Sequence, residues 1–139
     1  MFETGMTDEI ADDPRKLSAL VSRASSLASE YAVPSVLVGL VAEQGDSSFP
    51  EYIHYLRSAL RVEDGIFRMT RERAVIHLAD VDHDQALGIL ERLQAAFSDE
   101  FPALNRPNIR VQVYEAKADT EELRVKDILT RLFVAATFH

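Results

Sequence analysis

Arg61-Val62-Glu63-Asp64 sets a guanidinium fork and a carboxylate three residues apart, directly ahead of the apolar run Gly65–Met69. A second apolar run, Ala74–Leu78, lies beyond a knot of charge, Thr70-Arg71-Glu72-Arg73. An arginine fork donates two parallel hydrogen bonds to a planar anion, so a local cluster of arginines here can hold a small anionic ligand. Other chemistry is scarce. Cysteine is absent, which removes a thiolate nucleophile, a disulfide frame and a Cys-based metal site. His54, His77, His83 and His139 show no metal-ligand spacing. His77 falls on a strand and reads as a half-buried core histidine, and His83 as a solvated group near a helix start. The five glycines are scattered and form no phosphate loop. Ser18, Ser22, Ser25, Ser26 and Ser29 crowd one helix, with no nucleophile-elbow pattern. Asp80, Asp82 and Asp84 lack the glycine and closing glutamate of a calcium loop.

The elements that position these residues follow from apolar periodicity. Residues 1–13 are acidic and read as a mobile arm, and residues 14–139 form one domain. Pro14 suits a first helical position, with Asp12 or Asp13 as cap. Leu17, Leu20, Val21, Ala24, Leu27 and Ala28 recur at helical steps to about Tyr31. Ser35–Val41 is a continuous apolar run, the pattern of a strand buried on both faces and central in its sheet. Ser48 is the expected cap of a helix from Phe49 to about Leu60. A hairpin follows, then a helix capped by Asp82 with Ala86, Ile89, Leu90, Leu93 and Phe97 on one face. Ile109, Val111 and Val113 alternate with Arg110, Gln112 and Tyr114, a strand with one wetter face. Glu121 to about Phe133 reads as the last helix. The order α-β-α-β-β-α-β-α fits an α+β, ferredoxin-like or nucleotide-cyclase-like sheet with helices packed on it.

At 139 residues the chain is one domain, and 47% hydrophobic residues are ordinary for a globular protein. The net charge of −8 opposes non-specific binding to nucleic acid. No apolar run approaches the roughly 18–20 residues of a membrane helix, and the first residues lack a basic then apolar leader, so the cytoplasm is the expected location.

The stretch Arg61-Val62-Glu63-Asp64, Gly65-Ile66-Phe67-Arg68-Met69, Thr70-Arg71-Glu72-Arg73-Ala74 resembles the GGDEF family, the bacterial diguanylate cyclases that join two GTP molecules into cyclic di-GMP. The family carries an Arg-x-x-Asp ending five residues before its signature pentapeptide, and an Arg two residues before it, here Arg68. "AVIHL" is similar to its next strand, and "QALGILERLQAAF" to its following helix. The resemblance runs from about Pro14 to Phe133. The entry motif is only faintly echoed in "ADDPRKL", and the segment between Glu43 and Arg61 is shorter than the family's.

The resemblance also implies losses. Thr70 and Arg71 stand where two glycines let the nucleotide approach the backbone. Glu72 keeps an acidic group, and Arg73 and Ala74 replace Glu and Phe. Leu40 and Ala42 stand where the family supplies metal-binding aspartates, and neither has an oxygen for magnesium. The expectation is therefore a catalytically inactive domain with no magnesium site, whose turn at residues 70–74 is a solvated relic. What survives is the family's inhibitory, product-binding motif. It implies that Arg61 and Asp64, with Arg92 at the place of a further arginine, bind cyclic di-GMP. Arginine would read guanine O6/N7 or phosphate, and Asp64 would accept from guanine N1 and N2. A bound ligand dimer would also bridge two subunits into a homodimer that acts on a downstream protein. Two other readings stay open. One is a ligand-free interaction or dimerisation module, marked by a surface apolar patch. The other is a residual enzyme using Glu72.

Overall fold

An eight-residue run with no charged side chain leaves a strand nothing to show to water. Ser35–Ala42 (β1) accordingly lies inside the sheet, buried on both faces except at half-buried Val41. The computed structural model describes residues 11–104 and 107–134, so the arm read over 1–13 lies outside the described residues up to position 10. Among the described residues no helix is long and apolar enough to cross a membrane.

Gly65–Arg68 (β2), Arg73–Ala79 (β3) and Ile109–Ala116 (β4) complete a four-stranded sheet of order β2-β3-β1-β4, with all neighbours antiparallel. Val38 at the centre of β1 faces Ile76 of β3 and Val113 of β4. One face carries Val36, Val38, Leu40 and Ala42, covered by Phe49–Ala59 (α2) and His83–Glu100 (α3). The other carries Leu37, Phe67 and Val75, covered by Pro14–Tyr31 (α1) and Val125–Leu129 (α4), which widens into a π-helical turn at Thr130–Val134. This is the expected α+β architecture, with β1 central as its composition requires.

Local chemistry agrees at the starts of α1 and α3. The Asp13 carboxylate accepts from the Arg15 N–H ahead of Pro14, and Asp82 with Gln85 forms a reciprocal capping box on α3. Three expectations need correction. Ser48 makes no capping bond; Asp46 Oδ1 instead accepts from the Ser48 N–H, the Ser48 hydroxyl and the Phe49 N–H. The last helix begins at Val125 rather than Glu121. Residues 121–124 run back over α1, where the Leu123 N–H meets the Ser25 hydroxyl, and Leu123 packs into the second core before the helix starts. On β4 the two faces differ less than expected: Ile109 and Val113 pack on the first core and Arg110 is exposed, as the alternation implies, but two residues depart from it. Tyr114 is half-buried beneath the Arg131 guanidinium, 5.1 Å from its ring centroid, while Val111 is 38% exposed on the other side.

The approach on the sheet that cannot give way is at Gly39, where an added Cβ would lie 2.8 Å from Leu132 Cβ and 3.0 Å from the Leu132 carbonyl oxygen. At Gly65 the obstacle, 2.3 Å away, is the tip of the Leu20 side chain, which can rotate. Gly39→Ala should therefore lose about 1–3 kcal/mol in urea unfolding, and Gly65→Ala distinctly less. Equal losses would contradict this packing.

Candidate ligand-binding site

Leu60 turns extended after the last residue of α2, and the Asp64 N–H closes a turn onto the Arg61 carbonyl at 3.0 Å. That turn brings the two side chains together. Arg61 Nε donates to Asp64 Oδ2 and Arg61 Nη2 to Asp64 Oδ1, both at 2.9 Å, a two-bond fork on one carboxylate. Oδ2 also accepts from the Arg61 N–H at 3.2 Å, and Oδ1 from the Ala79 N–H at 3.0 Å. Arg61 Nη2 reaches the Ala79 carbonyl at 2.6 Å as well, and Nη1 lies 3.4 Å from Glu63 Oε2. The Asp64 side chain is 3% exposed and that of Arg61 44%. Arg61 thus offers solvent its Nη1 edge, and Asp64 spends both oxygens inside the chain. An Asp64 oxygen meets guanine N1 or N2 only after Arg61 turns away.

The third residue, Arg92, is exposed on α3, beside Gly88. Among the described residues it makes no hydrogen bond or ion pair with Arg61 or Asp64. At about 1.5 Å per residue, ten positions along α3 set it roughly 15 Å beyond the Asp82 cap. Arg61 and Asp64 form one bonded group, and Arg92 is not bonded to it.

The hairpin turn is less solvated than expected. Thr70 and Arg71 are exposed, but Ala74 is fully buried, and half-buried Arg73 lies 5.6 Å above the Phe133 ring. The Glu72 carbonyl accepts from the Ala42 N–H at 2.8 Å, which ties the turn to the end of β1. Leu40 and Ala42 are buried carbon side chains in the first core. They do not fit a magnesium ion, which needs oxygen ligands. Among the described residues no group of three His, Asp or Glu side chains is placed to hold a metal.

Two features escaped the sequence. Asp12 is tied to the sheet: its N–H donates to the Arg68 carbonyl at 2.9 Å, while its carboxylate accepts from the Arg68 N–H at 2.7 Å and from Arg57 Nη2 at 3.1 Å. Its only sequence signal was a carboxylate just before a helix start. His77 is fully buried rather than half-buried, opposite Gly65 in the register, and among the described residues neither ring nitrogen has a hydrogen-bond partner.

No protein-family model matches the chain, and no curated protein matches it. Solved structures do. PelD residues 156–455 from Pseudomonas aeruginosa PA14, in complex with c-di-GMP, is 20% identical with a TM-score of 0.64, over 86% of this chain and 44% of that one. The FimX GGDEF domain from Pseudomonas aeruginosa is 15% identical at 0.66, over 91% of each chain. The GGDEF domain of DgcB from Caulobacter crescentus, in complex with c-di-GMP, is 12% identical at 0.68, over 93% and 86%. The chain has the GGDEF-like fold. It spans less than half the length of the PelD chain solved with c-di-GMP.

Burial holds His77 at a pKa of about 4, below its ordinary 6.5. The Arg23 charge on α1 adds to the depression, and Asp64 partly opposes it. The unfolded chain therefore takes up a proton that the folded one refuses. Stability should fall as pH drops from about 6.5 to about 4, by up to about 3 kcal/mol, and then stop falling on this account. Thermal unfolding of wild type and His77→Leu across that window checks it: the variant should show a flatter profile. Parallel profiles would show that His77 is not the titrating group.

Proposed function

We propose that this domain is a catalytically inactive GGDEF-like module that binds cyclic di-GMP through its Arg-x-x-Asp site. The observation that supports this most is the half-exposed Arg61 guanidinium, held in a fixed orientation by a buried carboxylate on this fold. A planar fork presented this way suits the O6/N7 edge of guanine or a phosphate oxygen. Asp64 orients Arg61 in the free domain and becomes an acceptor for guanine when the fork rotates. Arg92 supplies a second positive charge from α3. Two structures of this fold, PelD and DgcB, were solved with the same ligand. Buried Leu40 and Ala42 support inactivity, because their side chains offer no oxygen to a metal. A ligand dimer between two copies would give a homodimer, and a downstream protein would read that state. The expected setting is the cytoplasm of a bacterium.

The alternative, a ligand-free interaction module, is favoured by one feature. Leu87 and Val111, 42% and 38% exposed, flank an apolar cleft between α3 and the free edge of β4.

Calorimetric titration of cyclic di-GMP into the purified protein separates the two. Binding in the micromolar range or tighter, weakened at least about tenfold by Arg61→Ala, is the expected outcome. Absence of heat from folded, ligand-free protein would leave the interaction module as the better reading.

A further inference from the structure

Ala79 is the last residue of β3, and both of its main-chain groups are held by residues much earlier in the chain. Its N–H donates to Asp64 Oδ1, and its carbonyl accepts from Arg61 Nη2. Asp80 follows in the left-handed region, at φ 58. A side chain there costs energy, though Asp tolerates it better than most, and the conformation persists only where neighbours enforce it. Val81 is buried, and Asp82 then caps α3. The whole passage from β3 into α3 is therefore residues 80–82, and its first anchor is the Arg61–Asp64 pair.

One nitrogen carries the arginine side of the linkage, while the Ala79 N–H rests on Asp64 Oδ1. Arg61 Nη2 serves Asp64 Oδ1 and the Ala79 carbonyl together, so a rotation that turns the fork outward breaks both bonds. Asp64 is then a buried carboxylate without its cation, a state that favours local rearrangement over simple exposure of one side chain.

We propose that the Arg61–Asp64 pair is a latch on the β3–α3 passage, so that an anionic ligand drawing on Arg61 loosens residues 79–82 and alters the seating of α3. Arg92 rides on that helix, so the second charge of the site moves with the change that engaging the first produces. The proposal rests on the cyclic di-GMP reading only for the identity of the ligand. The latch is a property of the chain itself.

Hydrogen exchange read by mass spectrometry tests it on the nucleotide-free full chain. Arg61→Ala should speed exchange of the amides of residues 79–86 about tenfold, with the β1 amides of residues 36–40 unchanged. Arg61→Lys keeps the charge without the fork and should loosen the same amides. Rates at residues 79–86 equal to wild type would overturn the latch. So would a uniform rise that includes β1, because the pair would then add only global stability. No nucleotide enters the experiment. A titration without heat would therefore sink the ligand and leave the latch standing, and the converse holds equally.

Discussion

A strand with no polar side to present must be covered on both faces, and β1 imposes that requirement on everything around it. Its two faces recruit α2 and α3 on one side and α1 and α4 on the other. Its two edges are taken by β3 and β4. Little of the sheet surface then remains for chemistry. The candidate site accordingly lies where the chain leaves the sheet, at the crossing between residues 61–64 and the end of β3. Leu40 and Ala42 show the same constraint: at those positions the strand has given its side chains wholly to the core.

In the Arg61–Asp64 pair only the carboxylate is sealed into such a margin, 3% exposed against 44% for the arginine. An ion pair removed from water recovers its desolvation cost only when every remaining hydrogen-bonding group is also satisfied. Here the Ala79 main chain supplies both missing partners, an N–H for the carboxylate and a carbonyl for the guanidinium. The same arrangement that makes the pair tolerable in the free domain ties it to the launch of α3. The proposed site and a structural joint would share one set of bonds.

Much of this was legible in the sequence, for physical reasons that can be named. β1 was readable because a Val-rich run without charge has few other uses, and α1 and α3 because Asp13 and Asp82 sit where orphan N–H groups need an acceptor. Ser48 was misread because the better acceptor, Asp46, lies two residues earlier in a loop whose path no local pattern dictates. The start of α4 was misplaced because residues 121–124 cross α1 as a non-helical segment, with Leu123 in the second core, and no local pattern marks that crossing. The Arg-x-x-Asp was visible as a spacing, but Ala79 was not, since a main-chain partner has no sequence signature. The anchoring of Asp12 to Arg57 and Arg68 is likewise a product of tertiary placement. Likeness to PelD, FimX and DgcB supports the fold at 12–20% identity, where sequence comparison found no family.

The most direct measurement is a two-dimensional NMR titration with cyclic di-GMP that follows the Arg61 side-chain Nε–H and the Ala79 amide. If Arg61 is the contact and Ala79 its structural partner, both resonances shift together along one saturation curve, and the Gly39 amide at the centre of β1 stays in place. Shifts confined to the turn at residues 70–73, or none at saturating ligand, would contradict the site.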